Sequence, residues 1–300
     1  MVFSGSRQNN SLMRKIASDT PFLVGMSTIF AAYVFLIVML LVADAQYTSI
    51  EDIKTILDKE EIRFSIKLTF LSCAVTALLS IFVAVPTGYL LSRFRFRGRL
   101  ILDTILDVPI ILPPLVVGLS LLILFHQVII FDASIEEWFQ KIAASLYEFL
   151  MGAPPDEVIG VSYRIPAVIL AQFTVACAFA VRIMRNNFDQ LNTRLEDVAM
   201  TLGCNRAQSF WLIALPETWR GVLTATALAW ARALGEFGPI LVFAGSTRGR
   251  TEVLSTSVFL EISIGNLEGA VAISMIMVAI ALIVLFIVRS LESRQESTHA

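Results

Sequence analysis

Long apolar runs without charge constrain this chain more than any other feature. Phe22 to Ala43, Leu68 to Leu91 and Gly269 to Val288 contain no Asp, Glu, Lys or Arg. A bilayer core of roughly 30 Å needs about 20 helical residues, because backbone groups left unsatisfied in lipid force each crossing to be a helix. Three further stretches qualify, two of them with interruptions. Thr104 to Phe125 has Asp107 at its edge and Pro113–Pro114 near its middle, where missing donors should kink or break the helix. Ile165 to Val181 is a fourth complete candidate. Gly221 to Ala244 is interrupted by Arg232, Glu236 and the Gly235/Gly238/Pro239 cluster. The expectation is an all-α polytopic membrane protein of six transmembrane helices, with spans at about 22–43, 66–91, 104–125, 164–184, 217–236 and 268–289. The first run is longer than a signal-peptide h-region of about 7–15 residues and reads as a retained span.

Composition removes the competing classes. With 56% apolar and 16% charged residues, the chain is too hydrophobic for a soluble enzyme, which carries about a quarter charged residues. A net charge of −2 gives no basic surplus for a phosphate backbone, so nucleic acid is not an expected partner. Cys73, Cys177 and Cys204 share no metal-ligand spacing, and His126 and His299 stand far from any second ligand, so neither a metal site nor a disulfide framework is expected. No G-x-x-x-x-G-K-[ST] or G-x-S-x-G occurs, so the chain offers neither a nucleotide-hydrolysing loop nor a catalytic set. No internal repeat is evident.

The basic residues orient the spans. Arg7, Arg14 and Lys15 lie in the tail 1–21, and Arg93, Arg95, Arg97 and Arg99 crowd the second connection. Arg185, Arg194, Arg206 and Arg220 flank the fourth, and Arg289 and Arg294 follow the last span. With six spans all of these fall on one side, which the positive-inside rule makes cytoplasmic, with both termini. The mostly acidic Asp44 to Glu61 and the insertion 127–162 then face outward. In that insertion Ile135, Trp138, Phe139, Ile142, Leu146, Phe149 and Leu150 recur at helical spacing. Both an amphipathic helix on the outer surface and a loop bearing one helical turn fit this pattern. The polar residues 291–300 read as a disordered tail.

The loop 185–216 carries the clearest functional signal. Glu196 and Asp197 lie where a helix start favours acids, Leu195, Val198, Ala199 and Leu202 form an apolar stripe, and Gly203 supplies a stop. Arg206 to Leu215 reads as a second helical piece that breaks at Pro216 and enters the fifth span. A helix–turn–helix fixed to a span in this way is suited to being pushed by another protein; an interfacial helix resting on lipid headgroups is the alternative.

The spacing Asp197-Val198-Ala199-x3-Gly203-x9-Ile213-x-Leu215-Pro216 resembles the E-A-A-x3-G-x9-I-x-L-P loop of the membrane subunits of bacterial ABC importers. Asp197 replaces a frequent Glu or Gln, and Val198 an Ala. ILPPLVVGL at Ile111 to Leu119 and ARALGEFGPILVFAG at Ala231 to Gly245 are similar to the third and fifth spans of molybdate permeases, with tungstate and sulfate permeases close behind. The resemblance implies a type I ABC importer permease fold in the cell inner membrane. It further implies that Glu196, Asp197, Val198, Ala199, Gly203, Arg206, Leu215 and Pro216 belong to a helix that docks on an ABC ATPase subunit. ATP and Mg would be bound by that partner, with no cofactor in this chain. The remaining implied partners are a second permease copy and a periplasmic or lipid-anchored oxyanion-binding protein.

The interrupted spans have a reading of their own. Arg232 and Glu236, four apart on one helix face, can pair where an isolated charge is expensive. Broken helices at membrane depth are tolerated where they are buried or line an aqueous path. Pro113, Pro114, Arg232, Gly235, Glu236 and Gly238 are therefore candidates for a path or gate, although a purely structural Arg232–Glu236 pair fits equally well. Thr224, Thr226, Ser246 and Thr247 are candidate hydroxyls for an oxyanion held loosely enough to leave. An ion-coupled secondary transporter is the rival class, with only Arg232 and Glu236 as intramembrane ionisable residues to serve it.

Overall fold

A computed structural model describes residues 20–130, 133–151 and 160–296. It divides at Tyr47 into two units. The first is α1 (Thr20–Tyr47), a 28-residue helix whose length of about 42 Å exceeds a bilayer core.

The second unit begins with α2 (Ile50–Asp58), started by a capping box. Ser49 Oγ accepts from the Asp52 amide at 3.1 Å, and Asp52 Oδ2 accepts from the Ser49 amide at 2.8 Å. Next come α3 (Glu60–Arg93), α4 (Arg99–Ile111) and α5 (Pro114–Gln127). A two-stranded hairpin, β1 (Ile129–Ile130) and β2 (Ala133–Ser134), leads to α6 (Ile135–Met151) and then α7 (Ile165–Gln190).

α3 and α7 form the spine. Their contact is made by small residues, Cys73, Ala77 and Ala84 against Ala176 and Ala180, all buried. Lipid is as apolar as leucine, so helices in a membrane gain from close approach rather than from burying bulk. The two helices also approach closely at Gly88: a Cβ there would lie 2.8 Å from the Arg185 backbone nitrogen. Two buried polar side chains, Thr76 and Gln172, are partnered between helices. Thr76 Oγ1 donates to Gln172 Oε1 at 3.2 Å, and Gln172 Nε2 donates to the Ala233 carbonyl at 3.2 Å.

The loop helix α8 (Thr193–Thr201) is followed by α9 (Arg206–Ser209), a π turn (Phe210–Ala214) and α10 (Leu215–Glu217). The expected break at Pro216 is therefore absent, and the helical path runs on to Glu217. The π turn, with Leu215 N–H bonded to the Phe210 carbonyl, absorbs the register around a residue that cannot donate. The remaining elements are α11 (Trp219–Leu234), α12 (Gly238–Phe243), α13 (Leu254–Ser263) and α14 (Leu267–Glu296).

Among the described residues, four helices are long and apolar enough to cross a membrane: α1, α3, α7 and α14. The third expected span is two helices bent by 112°, which makes a fifth crossing if the pair counts as one. Leu112 and Pro113 each precede a proline and are held extended, with ψ of 140° and 135°. The fifth expected span is α11, whose 16 residues reach only about 24 Å before the break at Gly235. The insertion 127–162 holds a 17-residue helix, which decides for the helical alternative; residues 152–159 lie outside the described set. Residues 291–296, expected as tail, continue α14, since Ser290 to Glu296 contains neither Gly nor Pro to stop it.

Candidate functional site

Two groups of predicted residues stand apart along the spine. In the first, α8 is capped by Asn192, whose Oδ1 accepts from the Arg194 amide at 3.0 Å. It stops as the sequence requires. The Cys204 amide bonds to the Ala199 carbonyl and the Gly203 amide to the Met200 carbonyl, both at 3.1 Å, with Gly203 at φ +100°. This is a Schellman closure, which needs a left-handed residue after the helix. A Cβ on Gly203 would meet nothing within 4 Å, so backbone conformation, not space, demands glycine.

The two faces of α8 differ sharply. Leu195, Val198 and Leu202 are exposed, Leu202 at 83%, and Trp211 and Leu212 of the following turn are exposed with them. Asp197 and Arg206 are also exposed, and Arg206 lies over the Phe94 ring at 5.2 Å. Ala199 and Glu196 point inward, Glu196 at only 6% exposure. Its carboxylate accepts from Arg93 Nε and from the Tyr89 hydroxyl, both at 2.7 Å. Arg93 Nη1 also donates to the Phe188 carbonyl at 2.8 Å. One guanidinium thus ties α8 to the ends of α3 and α7. Leu215 is half-buried and Pro216 exposed.

Away from α8, the broken helices meet. A Cβ on Gly118 would lie 2.8 Å from Pro239 Cα, and one on Gly238 would lie 2.8 Å from Pro114 Cβ. Glycine at both positions lets α5 and α12 touch backbone to backbone, which brings Pro114 against Gly238 and Gly118 against Pro239. Behind this contact Glu236, at 1% exposure, sits 2.7 Å from Arg232 Nη1, although off the hydrogen-bonding direction for its Oε1. The Arg232 guanidinium lies over the Phe179 ring at 5.6 Å. The Glu236 carbonyl accepts from Ser255 Oγ at 2.7 Å, which fixes the break to α13. Gly235 has only carbonyl oxygens near its missing Cβ, at 3.9 Å or beyond, so packing does not require glycine there. Thr224 and Thr226 donate to carbonyls one turn back on α11, Arg220 and Val222. The Thr247 amide donates to Thr251 Oγ1 within the loop after α12.

Sequence reasoning missed Tyr89, Arg93 and Gly118. Arg93 counts only as an orienting charge in the sequence, yet Tyr89 and Arg93 are four apart on one helical face, a spacing that offered the signal.

The model for the family described as "Binding-protein-dependent transport system inner membrane component" matches residues 77–297. This chain belongs to that family. Its members are permease subunits of ABC importers, membrane transport subunits without an ATPase site of their own. Among relatives, the chain is 31% identical over 228 residues to the sulfate transport system permease protein CysT of Escherichia coli K12, covering 76% of each chain. It is likewise 31% identical over 222 residues to the molybdenum transport system permease protein ModB of the same strain, covering 72% of this chain and 89% of that one. In structure it resembles a chain of a bacterial alginate ABC transporter crystallised with its pentasaccharide-bound periplasmic protein. The TM-score is 0.68 at 15% identity, over 92% of this chain and 95% of the other, a likeness of fold alone.

Proposed function

We propose that this chain is the permease of an ATP-driven importer for a tetrahedral divalent oxyanion, with molybdate as the substrate. In this reading six crossings are made, two of them by the broken pairs α4–α5 and α11–α12, and both termini are cytoplasmic. Two copies enclose the path in the inner membrane, each engaging an ABC ATPase subunit that binds ATP and Mg. A periplasmic or lipid-anchored protein delivers the anion. The observation that carries the reading is the exposed Leu195/Val198/Leu202 face on a helix pinned from behind by Glu196 and Arg93. An apolar patch of this kind marks an interaction surface.

The mechanism follows from the connections. Closure of the ATPase subunits pushes α8, and the Arg93–Glu196 pair passes the push to α3 and α7 because both partners are buried and bonded. Gln172 hands it from α7 to α11 at the Ala233 carbonyl, three residues before the buried Glu236. Movement there shifts α12 against α5 through the Gly118–Pro239 contact and opens or seals the path.

Relatives named for sulfate and for molybdenum transport are equally similar, 31% each. They support a tetrahedral oxyanion and weigh equally on its identity. The similarity of Ile111–Leu119 and Ala231–Gly245 to molybdate permeases favours molybdate over tungstate, sulfate or thiosulfate. Proteoliposomes holding the permease, its ATPase and its binding protein test this with labelled molybdate and sulfate. Uptake should require ATP and the ATPase, and molybdate should saturate at lower concentration than sulfate. Uptake driven by a proton or sodium gradient without the ATPase would establish a secondary carrier instead.

A further inference from the structure

Between α4 and α7 lies a polar cleft of about 300 Å³, lined in part by Asp103, Asp107, Arg182, Arg185 and Asn186. It holds more charge than the path residues considered so far. Arg182 Nη2 donates to Asp107 Oδ2 at 2.8 Å, and Arg185 Nη1 to Asp103 Oδ1 at 2.7 Å. Arg185 Nε is buried and has no hydrogen-bond partner among the described residues, with Asp189 Oδ2 at 3.7 Å. Asp103 Oδ2 has a second cation, Arg99 Nε, at 3.9 Å.

We propose that this cleft is a transient binding site for the transported tetrahedral oxyanion, in which Arg182 and Arg185 exchange Asp107 and Asp103 for oxygens of the anion. The inference rests on the oxyanion-permease reading and adds a site to it. Charge balances through the exchange. Two guanidiniums neutralise a dianion, Asp103 falls back on Arg99, and Asp107, with its side chain 35% exposed, turns to water. Arg182 and Arg185 are three apart and share one face of α7, and a guanidinium's planar fork matches an oxyanion edge. The spare donor at Arg185 Nε and the exposed Asn186 amide complete the set. The cleft exceeds the ~30 Å³ of one water many times over, so the anion enters with part of its hydration shell. The competing carboxylates keep the site weak, as release demands of any site on a conduction path. α4 runs directly into the bend at Leu112–Pro113, so displacing Asp107 and Asp103 loosens the arm that carries α5 to its contact with α12.

Asp107→Asn and Arg182→Gln break the same ion pair, which separates a site from a strut. Sulfate binding is measured calorimetrically on the assembled permease–ATPase complex in discs of zwitterionic lipid, where no anionic headgroup competes. Asp107→Asn should bind sulfate about fivefold more tightly and release it more slowly in uptake assays, whereas Arg182→Gln should bind about fivefold more weakly. Equal effects of one sign, no change in either variant, or no sulfate binding by the wild-type complex would overturn the site. If Arg182→Gln does not assemble, Asp107→Asn decides alone, since a damaged fold does not tighten binding. Failure of the wild-type complex to take up sulfate or molybdate rejects the oxyanion reading itself; uptake with unaltered binding in both variants rejects only the cleft.

Discussion

Glu196→Ala should loosen α8 from the body of the protein without unfolding it. Glu196 accepts two hydrogen bonds of 2.7 Å, from Arg93 and Tyr89, and the side chains of the Arg93–Glu196 pair are only 10% and 7% exposed. Removing one partner of a buried pair costs about 3–5 kcal/mol, because a charge is left unpaired in a poor solvent. Arg93 keeps the carbonyls of Phe188 and Leu191, so the lower limit, about 3 kcal/mol, applies. The undocked population of α8 should therefore rise roughly 100-fold, given 1.4 kcal/mol per factor of ten. Native-state hydrogen exchange reads this directly: the amides of Leu202, Gly203 and Cys204, bonded back into α8, should exchange about 100-fold faster while those of α3 stay slow. Glu196→Gln keeps shape and one acceptor and should lose about 1 kcal/mol. In the cycle with Arg93→Ala the coupling should be about 2 kcal/mol. Unchanged exchange, or energies that add within about 0.4 kcal/mol, would refute the claim that the pair transmits force.

Gly118→Ala and Gly238→Ala each press a methyl to 2.8 Å from Pro239 Cα or Pro114 Cβ; overpacking of about 1–3 kcal/mol should appear as a lower melting temperature, with Gly235→Ala near neutral as the control. Gly203→Ala, forced to φ +100°, should cost about 1–2 kcal/mol, weaken co-purification of the ATPase and leave membrane insertion intact; Asn should recover part of the loss. Burial raises the Glu252 carboxyl above its ordinary value, against the lowering influence of the Ser257 hydroxyl bond and of Arg248. Folding thus favours its neutral form. Its contribution to stability is complete below the unfolded value of about 4.3 and falls as pH rises through the raised value. Glu252→Gln should flatten that part of the stability–pH profile followed by thermal unfolding.

The parts of this molecule legible in the sequence are those set by local chemistry. Uncharged runs announce α1, α3 and α14, a glycine after an apolar stripe announces the end of α8, and two adjacent prolines announce a break. The size of that break was not legible, because 112° depends on α5 docking on α12, a contact made by Gly118 and Gly238 from distant parts of the chain. The inward turn of Glu196 was hidden for the same reason. Its partners Tyr89 and Arg93 lie about a hundred residues away, and a helix start alone accounts for an acid at that position. Helix α13 was missed because Leu254 to Ser263 is short and mixed. Its place is fixed by Thr69 Oγ1 accepting from the Leu254 amide at 2.9 Å, a tertiary bond.

The central claim is that the Leu195/Val198/Leu202 face meets an ATPase on the cytoplasmic side. A single thiol from Leu202→Cys, in a background with Cys73→Ala, Cys177→Ala and Cys204→Ser, tests it in oriented membrane vesicles with an impermeant maleimide. Labelling only in inside-out vesicles, and protection when the ATPase is added, is the expected result. Labelling of right-side-out vesicles, or a thiol equally reactive with and without the ATPase, would contradict the account.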